Sequence, residues 1–302
     1  MCKEQGLVAL SALSRVLPAE QVARVVTRHR RRFHRVRKLD LLTVIWLLIG
    51  MHLVAQSSFP RVLRRLSQWT RLFSADPDQP LPSSGAIATR RRQMGGKPLQ
   101  DLFHAVCQPI ATPQTPGAWA FGLRVVGLDG SIDNLLNTPA NARVYARKCS
   151  QRGPSAFPQV LGVYLVECGT HVIFDVGFWP GTTSEHRAAP RLLRSLTPGM
   201  LVLWDRGFHC RALIAAVQAR GAHVLGRLPA HVKPCRHQEL PDGSWLAYVR
   251  DTDAHQAGLL VRVVGYQVGA AEPIWLVTTL LDATLAPAQA LAQTYHERWE
   301  VE

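Results

Sequence analysis

In the first hundred residues the apolar positions recur with a helical period. Leu7, Leu10, Leu13 and Leu17 fall on one face, and Pro18 opens a second predicted helix whose Val22, Val25 and Val26 share a side. Residues 41–55 are apolar all round and predict a buried core helix. Their 15 residues fall short of the roughly 20 needed to cross a bilayer, and Gly50 and His52 interrupt the run. Residues 59–73 are amphipathic, with Arg61, Arg64, Arg65 and Arg71 on the wet side, and residues 75–84 form a proline-rich loop. Ser83 or Ser84 then caps a helix carrying Arg90, Arg91 and Arg92, which Gly95 and Gly96 end.

The period changes past residues 109–117, a stretch with three prolines that is the best domain boundary. Residues 123–128 read as a short strand ending at Asp129. Residues 160–167 and 171–178 read as a hairpin turning at Cys168-Gly169-Thr170. A helix over 184–196, a buried strand over 200–204 ending at Asp205, a helix over 209–220 and a strand over 223–228 follow. Strand patterns recur at 245–249, 259–268 and 274–280, and residues 286–302 are helical. The expected organisation is an all-helical unit over 1–110 and an α/β unit over 118–302, with a β-rich insertion over about 230–284.

Charge sharpens this division. Residues 1–100 hold 18 Lys and Arg against 5 Asp and Glu, whereas residues 101–302 hold 17 against 16. The densest basic run spans 28–38 and cannot be buried; phosphates would supply its counter-charge. Arg30, Arg31, Arg32, Arg35, Arg37 and Lys38 are therefore the expected DNA-backbone contacts, with salt-sensitive binding. The bland alternative is a solvated basic face. The six cysteines form no Cys-x-x-Cys pair and no zinc spacing, and read as free thiols of a reducing compartment; the start shows no signal-peptide pattern.

Two aspartates close the most apolar strand runs, in VVGLDGS (Asp129) and LVLWDRGF (Asp205). A strand end is where a side chain leaves the core on a rigid scaffold. Each is followed closely by a glycine, Gly130 or Gly207, read here as freedom for the backbone to turn away. One such aspartate is ordinarily a turn former; two point to a shared cation site. Near the end of the sequence, Tyr295, Arg298 and Glu302 stand at i, i+3 and i+7, on one helical face.

That Tyr-x-x-Arg-x-x-x-Glu pattern, with Trp299 after the arginine, resembles the signature of the insertion-sequence-4 family of bacterial DDE transposases. The segments around Asp129 and Asp205 are similar to the family's two aspartate motifs, and the separations of 76 and 97 residues are ordinary for it. The basic N-terminal region resembles the family's too. The resemblance implies a ribonuclease-H-like, retroviral-integrase-like catalytic core with a β-rich insertion, preceded by an all-α basic domain. It further implies two Mg²⁺ or Mn²⁺ ions on Asp129, Asp205 and Glu302, with Tyr295, Arg298 and Arg206 at DNA phosphates. The implied partners are double-stranded terminal inverted repeats and target DNA, bound by a dimer without membrane attachment, in the bacterial cytoplasm at the nucleoid. The implied activity is cut-and-paste transposition; the alternatives are a metal-dependent nuclease on the same fold and a DNA-binding remnant without catalysis. The signature normally continues with a Lys about two turns beyond the glutamate, so a C-terminally interrupted chain is expected.

Other candidates read as structural. Asp251 and Asp253 fit a loop between strands. His171, His223 and His231 fit ordinary core or surface positions. Glu185 opens a helix, where its charge suits the helix dipole.

Overall fold

The computed structural model describes residues 17–30, 39–53, 61–62, 82–150, 153–232, 234–250, 258–267 and 272–297. The chain divides into two compact units, Met1–Cys107 and Gln108–Glu302.

The described elements of the first unit are helices: α1 (Ala19–His29), α2 (Leu41–Leu53), α3 (Ser84–Met94) and α4 (Lys97–Val106). Val22, Val25 and His29 are the buried stripe of α1, at the spacing of one helical face. Asp40 caps α2, accepting from the Thr43 amide at 2.8 Å, and the helix buries Leu41, Val44, Ile45 and Leu47 in the unit's core. Its apolar character thus serves the packing of this core, and among the described residues no helix is long and apolar enough to cross a membrane. Ser83, not Ser84, caps α3 by accepting from the Ala86 amide, and Gly95 at φ 65° ends it. Asp101 of α4 holds α1 through His29 at 2.9 Å and also meets Lys97 at 2.7 Å. Hydrogen bonds from Lys97 and His29 hold its pKa down at about 2.

The second unit is α/β. Its strands are β1 (Trp119–Ala120), β2 (Leu123–Asn134), β5 (Gln159–Glu167), β6 (Val172–Pro180), β7 (Met200–Trp204), β8 (His223–Arg227), β9 (Cys235–Glu239), β10 (Trp245–Val249), β11 (Leu259–Tyr266) and β12 (Ile274–Thr278). The two-residue strands β3 (Cys149–Ser150) and β4 (Gly153–Pro154) form a separate ribbon. The helices are α5 (Pro139–Tyr145), α6 (Glu185–Ala188), α7 (Arg211–Gln218) and α8 (Ala288–His296). One sheet runs in the order β6-β5-β2-β7-β8-β12-β11-β10-β9, with β1 beside β2. The β5–β6 hairpin turns where the sequence places it, with Gly169 at φ 81°. The strands after residue 230 extend this sheet, since β12 pairs with β8.

Several elements differ from the sequence reading, among them α5 and the β3–β4 ribbon, which it did not foresee. β2 does not stop at Asp129 but continues to Asn134. Its apolar run ends where β7 ends, because only β5 accompanies it further and the outer residues are exposed. The helix expected over 184–196 is α-helical only over Glu185–Ala188 and goes on as 3₁₀ turns, Ala189–Arg191 and Leu193–Ser195. Pro190 accounts for this: it lacks the amide that a continuing α-helix needs and crowds the turn before it. β9 was not foreseen because all five of its residues are exposed on the sheet's edge, so no apolar alternation marks it.

Alternation splits the core between the two sheet faces. Val126, Leu128, Val202 and Trp204 pack with Ala188 and with Leu213, Ile214 and Val217 of α7. Val125, Leu201 and Leu203 pack on the other side with Leu291 and Tyr295 of α8. Buried ion networks tie the connections down. Asp175 accepts from Arg194 at 2.9 Å and from Ser195 Oγ at 2.6 Å, fixing the turns that follow α6 to β6. Fully buried Arg262 donates to Ser244 Oγ at 2.7 Å and to the Ala286 carbonyl at 2.6 Å, and pairs with Asp242. Asp242 also accepts from the Ala288 amide at 2.8 Å, so this network seats the start of α8.

Candidate active site

β2 and β7 run parallel, and their last paired residues are Leu128 and Trp204. One step further along each chain stand Asp129 and Asp205. Asp129, inside β2, and Asp205, just past the end of β7, therefore stand at the same level on neighbouring strands, which lie about 4.8 Å apart in a sheet. Trp204 is fully buried and Asp205 only half-buried, so the core ends between them. Asp205 then opens the 3₁₀ turn Arg206–Phe208, and its Oδ1 accepts from the Gly207 amide at 2.6 Å. This bond fixes the carboxylate at the strand end. On its other side Asp129 lies opposite Tyr164 of β5, whose hydroxyl is 3.2 Å from Ser131 Oγ.

A third carboxylate enters from the opposite face of the sheet. Glu185 opens α6, whose Ala188 belongs to the core on the α7 side. Its Oε1 lies 2.6 Å from where a Cβ on Gly130 would stand, and its Oε2 would overlap a Cβ on Gly207. Asp205 Oδ1 is 3.0 Å from that same Gly207 position, so one point lies within reach of both carboxylates. Burial, and then the charges of Asp205 and Asp129, push the Glu185 carboxyl above its ordinary pKa, while Lys148 opposes them. The glycines after the aspartates thus have a role that sequence reasoning missed. Neither has a positive φ, so no unusual turn requires them. What their missing side chains provide is space for Glu185.

Carboxylate oxygens are the donors that a hard dication such as Mg²⁺ or Mn²⁺ takes. Asp129, Asp205 and Glu185 fit that chemistry in kind, and their mutual repulsion calls for a counter-charge. Among the described residues no group of three His, Cys, Asp or Glu side chains is already gathered as a metal site, so holding an ion requires these side chains to close in.

The other candidate residues separate clearly. Arg206 is exposed beside Asp205, open to an anion. Tyr295 corrects the expectation of a phosphate contact: it is 3% exposed and packs with Leu291, Leu201 and Leu203, so its ring seats α8 on the sheet. Arg298 and Glu302 lie outside the described residues, as do Arg31, Arg32, Arg35, Arg37, Lys38, Asp251 and Asp253. Arg30 is described and exposed at the end of α1. His209, four residues after Asp205, also escaped the sequence reading. Burial and the neighbouring His231 lower its pKa to about 4, so it is neutral at pH 7.

Comparison with known proteins adds the family. Residues 123–302 match the family described as the transposase DDE domain, and residues 7–104 match the insertion element 4 transposase N-terminal family. The chain is 24% identical to the transposase InsG for insertion sequence element IS4 of Escherichia coli, across 97% of this chain and 67% of that protein. It is also 24% identical to the putative transposase InsZ of the same bacterium, across 71% of this chain and 69% of that protein. A solved endonuclease V from Streptomyces avermitilis overlaps 66% of this chain and 82% of its own at 14% identity, with a TM-score of 0.27, an overlap too loose to carry an argument. With the DDE domain family matching residues 123–302, more than half of its length, this chain belongs to the DDE transposases of the insertion-element-4 family.

Proposed function

We propose that this protein binds the terminal inverted repeats of its element and cuts and rejoins DNA there, using divalent cations held by Asp129, Asp205 and Glu302. The observation that carries the reading is the parallel register of β2 and β7, which sets Asp129 beside Asp205 where the core ends. Glu302 enters through the Tyr-x-x-Arg-x-x-x-Glu pattern of the sequence, and Tyr295 of that pattern faces the side of the sheet to which Asp129 belongs by alternation. When bound, a pair of Mg²⁺ or Mn²⁺ ions supplies Lewis acidity at the phosphate and lowers the pKa of the attacking water.

The chain's own residues would hold and orient. Asp205, whose Oδ1 accepts from the Gly207 amide, would offer its carboxylate at the end of β7. Asp129 is braced by strands on both sides. Arg206, exposed beside them, would take a phosphate oxygen of the cleaved strand. In cleavage, water oxygen bonds to phosphorus as the bond to the 3′ oxygen breaks, leaving a 3′-hydroxyl and a 5′-phosphate. In joining, that 3′-hydroxyl oxygen bonds to a target phosphorus in line as the target's own bond from phosphorus to its 3′ oxygen breaks, leaving a target 3′-hydroxyl; the attacker gives up a proton to solvent and the leaving oxygen takes one. The basic run at 28–38 would grip the duplex backbone, and two protomers would be needed to hold two ends.

The test is Mg²⁺-dependent nicking and joining of a duplex carrying the element's terminal repeat, with Asp129→Ala and Asp205→Ala as comparisons. The reading requires each substitution to reduce cleavage by about 10³-fold or more, roughly 4 kcal/mol of barrier. Undiminished cleavage by either variant would refute it. Cleavage without joining would reduce the activity to that of a nuclease.

A further inference from the structure

We propose that Glu185 is a further carboxylate ligand of the cation placed at Asp129 and Asp205, reaching it from the opposite face of the sheet through the gap left by Gly130 and Gly207. This rests on the reading above and adds to it a residue outside the DDE triad.

Three observations carry the inference. The first is placement. Glu185 Oε2 and Asp205 Oδ1 both lie within 3.0 Å of the one point that a Cβ on Gly207 would occupy. Oε1 meanwhile reaches over Gly130, directly after Asp129. The carboxylate thus spans the residues next to both aspartates.

The second is the glycines. A Cβ at Gly130 or Gly207 would make this carboxylate swing away from its present place, and neither backbone conformation demands glycine. Ser131 and Arg206 show that ordinary side chains are accommodated at the adjoining positions.

The third is energetic. A carboxylate serving only to open α6 would gain by turning into water, away from like charges. This one is half-buried beside two other carboxylates, with exposed Lys148 the counter-charge that bears on it. Such an arrangement is costly unless a cation joins it. The scaffold also holds it there. Ala188 and Ala189 are fully buried beneath α6, and the Asp175 contacts with Arg194 and Ser195 fix the turns that follow.

The experiment is a calorimetric Mn²⁺ titration of the DNA-free protein, as wild type, Glu185→Gln, Gly130→Ala and Asp129→Asn, with thermal unfolding of each without metal. Glu185→Gln is expected to weaken Mn²⁺ binding by about 10-fold or more. Gly130→Ala keeps every charge but occupies the carboxylate's space, and is expected to weaken it likewise. Without metal, Glu185→Gln should raise the Tm, because a like charge has been removed. Wild-type Mn²⁺ affinity in Glu185→Gln, with binding lost in Asp129→Asn, overturns this inference and leaves the aspartate reading standing. Wild-type affinity in Asp129→Asn as well overturns both. A lower metal-free Tm in Glu185→Gln with unchanged Mn²⁺ affinity would mean that the residue only supports its helix.

Discussion

The two units of this protein treat charge in opposite ways. The first hundred residues carry 13 more basic than acidic side chains, and the ion pairs described there converge on Asp101. The second unit is nearly neutral and spends its charges inward: Glu167 with Arg124, Asp175 with Arg194, and Asp242 with Arg262 all join buried networks. Asp129 and Asp205 stand level at the end of β7, and their charges bear on Glu185. One region holds cationic charge that its own carboxylates do not match, as a polyanion-binding surface requires. The other pairs carboxylates with arginines inside its own fold.

Substitutions can break or sharpen this contrast. The largest effect is expected inside the second unit. Asp242→Ala strands fully buried Arg262 and removes the acceptor of the Ala288 amide, so chemical denaturation should show a loss of about 3–5 kcal/mol. Asp101→Ala is the counterpart in the first unit. Its partners Arg28 and Lys97 are exposed and only His29 is buried, so the loss should be about 1–2 kcal/mol. Equal losses would erase the contrast.

A pH effect of intermediate size belongs to His209. Its folded pKa of about 4 lies below the ordinary 6.5, so between these values the unfolded chain binds a proton that the native state refuses. The associated stability is complete above pH 6.5 and is lost as the pH falls towards 4, by about 3 kcal/mol at most. His209→Gln should flatten that part of the stability profile in denaturant melts run across this range. The smallest expected effect is in the first unit. Changing Arg30 or Arg31 singly to Gln should make the slope of log affinity against log salt shallower by about 0.9, equally for any duplex sequence. An unchanged slope for every residue of the 28–38 run would make it a solvated face.

Much of the scaffold was legible because burial writes itself into local pattern. Residues 200–204 are buried without exception and were read as a strand. The hairpin at Gly169 and the helix of residues 41–53 followed from turn chemistry and continuous apolarity. Elements whose stability comes from a neighbour were not legible. The outer half of β2 is polar because β5 alone pairs with it, and edge strand β9 has no buried residue to mark it. At the site, strand-end position singled out Asp129 and Asp205. Glu185 was assigned to its helix because its relation to Gly130 and Gly207 exists only once distant segments meet. Helical spacing groups Tyr295 with Arg298 and Glu302 without saying which face meets the sheet, and the Tyr295 ring packs inward.

The central claim is that Asp129 and Asp205 serve one cation site jointly. A double-mutant cycle in Mn²⁺ affinity, with Asp129→Asn, Asp205→Asn and the pair together, tests it most directly. The account predicts strong coupling, with either substitution abolishing nearly as much binding as both. Losses that simply add, or one substitution without effect, would contradict it.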